Sequence, residues 1–104
     1  MESCIFCKIA RKEIPTTVVL ENDEVIVFPD IHPQAPVHLL IIPKVHVEEL
    51  VKVEETEVFK NMFHIVRELI KQYKLEDNRY KIVINGGGLQ DVDHLHIHLL
   101  GKIR

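Results

Sequence analysis

Near its end the chain reads Asp93-His94-Leu95-His96-Ile97-His98-Leu99-Leu100, with a histidine at every second position. Residues two apart on a strand share a face. The pattern therefore predicts that His94, His96 and His98 project together while Leu95, Ile97 and Leu99 turn into a core. Strand rise of roughly 3.3 Å per residue puts His94 and His98 about 13 Å apart at Cα, whereas zinc ligands sit about 2 Å from the ion. The three imidazoles must therefore divide their work, one end reaching a metal while the middle one faces a substrate. Neutral imidazole, with a pKa near 6.5, is mostly unprotonated at pH 7 and can attack phosphorus. A hydrogen bond from one ring nitrogen to a backbone carbonyl would fix the tautomer and free the other lone pair. The flanking histidines could then hold phosphoryl oxygens and protonate a leaving group.

Cys4 and Cys7 form a C-x-x-C pair, and the chain holds seven histidines. That spacing suits metal binding or redox chemistry. A redox pair usually opens a helix inside a βαβ unit, and no strand precedes Cys4. A tetrahedral zinc would need two further ligands, for which histidines not needed in chemistry are candidates. The alternative is two free thiols. His32 and His64 receive no role, and His64 falls on the polar side of a long helix.

The elements that must position these residues can be read in order. Ile5 to Ile14 is loosely helical and Pro15 ends it. Val18 to Glu21 and Val25 to Phe28 form a hairpin about Asn22-Asp23. Asp30 to Pro36, with two prolines, is a loop. Val37 to Ile42 is apolar on both faces apart from His38, which predicts a central strand. Glu48 to Tyr73 is the long helical region, with a break near Val53. Its face carries Val58, Met62, Ile65, Val66, Leu69 and Tyr73, while Phe59, Phe63 and Ile70 fall elsewhere around it. Lys74 to Asn78 is a polar turn, and Tyr80 to Ile84 a strand. Asn85 and three glycines make a loop whose N–H groups either cradle an anion or simply turn. Leu95 to Leu100 is the last strand. These elements imply an α+β fold: a five-stranded antiparallel sheet, one main helix and a short N-terminal helix.

With 104 residues the chain is expected to be one domain, 1–104. A formal charge of −3 argues against a broad nucleic-acid surface, though not against a small anion in a local pocket. No basic and apolar leader opens the chain. The longest apolar run, Val37 to Pro43, is too short to span a bilayer. A cytoplasmic protein that binds neither nucleic acid nor membrane is expected.

His94-Leu95-His96-Ile97-His98-Leu99-Leu100 resembles the H-φ-H-φ-H-φ-φ signature (φ apolar) of the histidine triad superfamily. Cys4-Ile5-Phe6-Cys7-Lys8-Ile9, Glu13-Ile14-Pro15, the block Asp30 to His38, and Ile42-Pro43-Lys44-Val45-His46 are similar to its Hint branch, the histidine triad nucleotide-binding proteins. The resemblance covers nearly the whole chain. It implies a nucleotide hydrolase or transferase acting at the α-phosphate of purine nucleotide conjugates, such as adenosine phosphoramidates, through a covalent nucleotidyl-histidine. His96 would be the nucleophile, His98 a phosphate contact, and His38 a support from the neighbouring strand. Asn85 and Gln90 would also contact phosphate. Asp30 would accept from the ribose hydroxyls, and Ile5, Phe6, Phe28 and Ile31 would hold the base. Asp91 stands where animal members carry a serine tied to the leaving atom. The Asn85–Gln90 loop is about two residues shorter than in typical members, and Leu89 replaces a glycine. The resemblance further implies a structural zinc on Cys4, Cys7, His46 and His94, and a homodimer paired along the main helix and an edge strand. Phe59, Phe63 and Ile70 would be buried by the second copy, or else widen the core of one chain. A purine-nucleotide-binding regulatory module with incidental slow hydrolysis is the alternative function, and a metal-binding structural domain a third.

Overall fold

Strict alternation sorts the apolar side chains onto two faces of one sheet. In the computed structural model, which describes residues 4–54 and 56–104, the sheet contains β1 (Leu20–Glu21), β2 (Val25–Pro29), β3 (Val37–Pro43), β4 (Lys81–Ile84) and β5 (Ile97–Gly101). The strand order is β1-β2-β3-β5-β4, antiparallel throughout. β3 is central and every residue of it is buried, as a strand apolar on both faces requires. One face carries Val25, Val27, Leu39, Ile41, Ile97 and Leu99. These pack with Met62, Ile65, Val66 and Leu69 of the main helix α2 (Thr56–Gln72). The other face carries Ile26, Phe28, Leu40 and Ile42, covered by Phe6 and Ile9 of α1 (Ile5–Ala10). The sheet thus lies between a long helix and a six-residue one.

Several boundaries differ from the sequence expectation, each for a local reason. The helical region predicted for 48–73 divides into a 3-10 turn, Leu50–Lys52, and α2; Glu55 lies outside the described residues. α1 stops at Ala10, not at Ile14. Lys12 adopts φ +64°, with its N–H bonded to Ile9 O and that of Glu13 to Lys8 O. This is a Schellman closure with lysine where glycine is usual. α2 ends the same way at Lys74, φ +57°, with Leu75 N–H bonded to Ile70 O. Leu75, read from sequence as part of a polar turn, follows that closure and is fully buried. β1 is two residues long, since Asn22 Oδ1 takes the N–H groups of Glu24 and Val25 and draws the turn tight.

Phe59 and Phe63 stack edge to face, 4.8 Å between centroids. With Ile70 they are partly buried against the α2 side of the core. β4 is an outer strand bonded only to β5, and Tyr80 just before it and Ile82 within it are exposed.

Gly101 pairs with Val37 on the α2 face, and a Cβ there would lie 2.6 Å from Leu75 Cδ2 and 2.7 Å from Cδ1. Leu75 is enclosed and cannot swing away. Gly101→Ala should therefore lower unfolding stability by about 1–3 kcal/mol, measured by urea denaturation. In a Leu75→Ala background the same methyl should cost much less, because the space is empty. Equal costs in the two backgrounds would refute the close approach.

Candidate functional site

Only His98 of the three histidines lies in the β5 ladder; His94 and His96 precede it. The expected strand from Leu95 is shortened because Leu95 N–H bonds to Val47 O at 2.6 Å, which ties this segment to the chain following β3. Leu95, Ile97 and Leu99 still enter the α2-side core. His94 and His96 both meet Phe6 edge-on, at 5.9 and 5.1 Å between centroids. The histidines nonetheless serve two different clusters.

The first cluster gathers Cys4, Cys7, His46 and His94, whose ligating atoms all lie within 4.8 Å of one another. His94 Nδ1 is 3.4 Å from Cys4 Sγ and 3.5 Å from Cys7 Sγ, and His46 Nδ1 is 3.2 Å from Cys7 Sγ. α1 supplies both sulfurs: Cys4 caps the helix and its Sγ accepts the Cys7 N–H. His94 Nε2–H donates to Pro43 O at 2.7 Å, leaving Nδ1 as a lone pair aimed at the sulfurs. Metal-bound histidines characteristically bond a carbonyl through the second nitrogen in this way. His94 is fully buried, and burial, opposed by the Pro43 bond and aided by His46 and His96, pushes its pKa down to about 4. Burial, and then the Cys4 thiol, raises Cys7 above the ordinary thiol range. Two sulfurs and two imidazole nitrogens gathered within 4.8 Å of one another are a donor set that fits a tetrahedral zinc.

The second cluster is a chain of imidazoles. Gln34 N–H donates to His38 Nδ1 at 3.0 Å. A backbone N–H can only donate, so the proton of neutral His38 must sit on Nε2. That atom is 2.9 Å from His98 Nδ1, which therefore accepts, and the proton of neutral His98 lies on Nε2. His98 Nε2 is buried with no partner among the described residues. Burial, followed by the fields of His96 and His38, lowers the His98 pKa to about 4. Burial likewise lowers that of His38, against the opposing charge of Asp30. His96 Nδ1–H donates to His94 O at 2.7 Å, so its Nε2 lone pair is free. The site thus presents, side by side, an unprotonated nitrogen on His96 and an N–H on His98, with ring centroids 4.8 Å apart.

These two rings open onto a cavity of about 330 Å³ between α1 and the sheet. Its wall includes Ile5, Phe6, Phe28, Asp30, Ile31 and Asp91, all expected from sequence. His38 stands behind His98. Ile14, Thr16, His32 and Val92 also line the cavity. Sequence reading missed them, although His32 follows Asp30 by two residues in a loop the resemblance already singled out. Asp30 Oδ1 accepts from His32 N–H at 2.8 Å, and Oδ2 is 3.5 Å from His38 Nε2. A carboxylate offers about four acceptor positions, so it retains capacity for hydroxyl donors. His64 is exposed beside Glu68 on α2.

Two expected residues are not on this wall. Asn85 lines a separate recess with Glu49, Leu50, Val51, Ile84 and Gly86. Gln90 folds back on its own loop: Oε1 accepts from Gly88 N–H at 3.0 Å, and Nε2 donates toward Glu48 O at 3.5 Å. The Gln90 amide is thus spent on its own loop and on the segment before the 3-10 turn.

Residues 3–103 match the family model described as "Scavenger mRNA decapping enzyme C-term binding". The chain is 50% identical over 103 residues to a "14 kDa zinc-binding protein" of Zea mays, covering 93% of this chain and 80% of that one. It is 38% identical over 104 residues to the "Purine nucleoside phosphoramidase" of Escherichia coli (strain K12), covering 96% and 87%. The solved structure of a histidine triad protein from Clostridium difficile superposes with a TM-score of 0.93 at 35% identity, covering 100% of this chain and 94% of that one.

Proposed function

This chain belongs to the histidine triad family that those relatives and that family model define, and we propose that, as one domain spanning residues 1–104, it hydrolyses purine nucleotide conjugates at the α-phosphate. The observation that carries the reading is the pairing of tautomers: a free Nε2 lone pair on His96 beside an Nε2–H on His98, both facing a cavity of mononucleotide size.

The apolar wall of Ile5, Phe6, Phe28 and Ile31 takes the purine, and Asp30 accepts from the ribose hydroxyls. His98 donates its Nε2–H to a phosphoryl oxygen. With a pKa near 4 it is neutral at pH 7, so it acts as a fixed donor, the kind of preorganised dipole that stabilises developing charge. His96 Nε2 attacks phosphorus. As the N–P bond forms, the bond to the leaving group breaks, and the leaving group takes that electron pair and a proton from solvent, leaving a nucleotidyl-imidazolium on His96. Water then attacks the phosphorus, the N–P electron pair returns to His96 Nε2, a proton goes back to solvent, and the mononucleotide leaves with His96 neutral again. His38 is a positioning residue that holds the His98 tautomer. The resemblance of the enzyme from Escherichia coli named as a phosphoramidase supports an amine leaving group.

Cys4, Cys7, His46 and His94 would hold a structural zinc, with all four positions filled by protein. Reduced cysteines in that site fit a cytoplasmic location, and among the described residues no helix is long and apolar enough to cross a membrane. The exposed edge of β4, with Tyr80 and Ile82, supports a two-fold dimer that extends the sheet.

His96→Ala should keep mononucleotide binding but lose roughly three or more decades of turnover on an adenosine phosphoramidate. Retention of a tenth of the wild-type rate would rule out His96 as nucleophile. Protein expressed with zinc available should carry one zinc per chain by elemental analysis. Replacing both cysteines by serine should remove it and lower Tm by roughly 5 °C or more; unchanged metal content would defeat the assignment. Light scattering at micromolar concentration should give a mass near twice 12.1 kDa, and a value near 12.1 kDa itself would refute the dimer.

A further inference from the structure

The catalytic cavity does not end at the two reactive rings. Ile5, Asp91 and Val92 line both it and a neighbouring recess of about 500 Å³, so the two spaces join along that edge. The recess runs past Cys4 and His46 and is bordered by three carboxylates, Glu48, Asp91 and Asp93. Lys52 pairs with Glu48 at 2.7 Å. Neither Asp91 nor Asp93 has an ion-pair partner within 4 Å among the described residues. Two thiolates would cancel the charge of a divalent zinc, so the metal cluster leaves the recess acidic.

Asp91 stands at the junction. Of the two carboxylates on the cavity wall, Asp30 already accepts from His32 N–H and lies 3.5 Å from His38 Nε2. Asp91 is uncommitted, and it is close enough to the reacting centre to be felt there: burial lowers the His98 pKa, and the charges of Asp30 and Asp91 oppose it. His96, only 5% exposed, presents its free Nε2 to the same cavity. With the purine on the apolar wall, the ribose at Asp30 and the phosphorus at His96, the group to be expelled must use space the nucleotide leaves. The walled space adjoining the cavity is the acidic recess.

We propose that the leaving group departs through this recess, and that Asp91 is a specificity-determining residue that favours an amine leaving group carrying a second, positively charged amine. The proposal rests on the nucleotide reading given above and adds the charge of the leaving group, which that reading leaves open. A cationic tail gains the fields of Asp91 and Asp93, whereas an anionic tail meets like charge, a recognised means of rejecting wrong partners.

Three adenosine phosphoramidates with tails of matched length test it, their leaving groups being butylamine, butane diamine and γ-aminobutyrate. kcat/KM is measured for each on the zinc-replete protein and on its Asp91→Asn and Asp91→Glu variants. The wild type should prefer the diamine conjugate to the γ-aminobutyrate conjugate by about tenfold or more, with the butylamine conjugate between them. Asp91→Asn should remove most of that ratio and Asp91→Glu should keep it. High salt should narrow the ratio in the wild type, since screening weakens both attraction and repulsion. A wild type without charge preference overturns the proposal, as does a ratio that survives Asp91→Asn. A ratio lost in Asp91→Glu as well would tie it to shape and not to charge, and overturns it too. If the wild type turns over none of the three conjugates, the nucleotide reading itself fails and takes the proposal with it.

Discussion

A buried neutral imidazole has one proton and two nitrogens; for His94, His96 and His38 a backbone group resolves that ambiguity, and His38 passes the choice on to His98. Pro43 O accepts from His94 Nε2–H; His94 O accepts from His96 Nδ1–H; Gln34 N–H donates to His38 Nδ1 and so leaves the His38 proton on Nε2. Backbone donors and acceptors do not titrate in the physiological range, and secondary structure holds their positions. Lone pairs and N–H groups therefore point in fixed directions before any ligand arrives. Burial reinforces the arrangement by keeping His94 and His98 neutral well below pH 7, because desolvation penalises the charged form.

The packing supplies the carbonyls and amides in the right places. β3 runs through the middle of the sheet, buried on both sides, and ends at Pro43, whose carbonyl faces His94. Its other end begins beside His38, directly after the proline-rich loop that carries Gln34. The register sets His38 opposite Leu100 and Leu40 opposite His98, so His38 and His98 share the α1 side of the sheet. α1 then contributes to both clusters, with sulfurs on its first turn and Phe6 standing edge-on to two of the imidazoles.

Much of this was legible in the chain. Period-two alternation announced the strands, the doubly apolar run at 37–42 announced the central one, and the separation of His94 from His98 already required two destinations. The cysteines and His46 acquired a meeting point with His94 only through the family resemblance, since no local pattern connects residues forty and ninety positions apart. Other features were hidden for physical reasons. Leu75 sits among polar residues, and its burial follows from a helix closure that no periodicity encodes. Asn85 and Gln90 have the right chemistry for phosphate, but tertiary contacts place one in a separate recess and bond the other to its own loop and toward Glu48.

The lysine closure of α1 has a further meaning. A helix that continued for one more turn would carry the chain roughly 5.4 Å along its axis before it could bend. By reversing at Lys12, in a backbone region that costs a side-chain-bearing residue roughly 1–2 kcal/mol, the chain doubles back early. Ile14, Pro15 and Thr16 then arrive at the cavity instead of travelling past it. The punctuation of a six-residue helix thus works as a gauge of volume, and the room left for a ligand is set by where the backbone is made to stop.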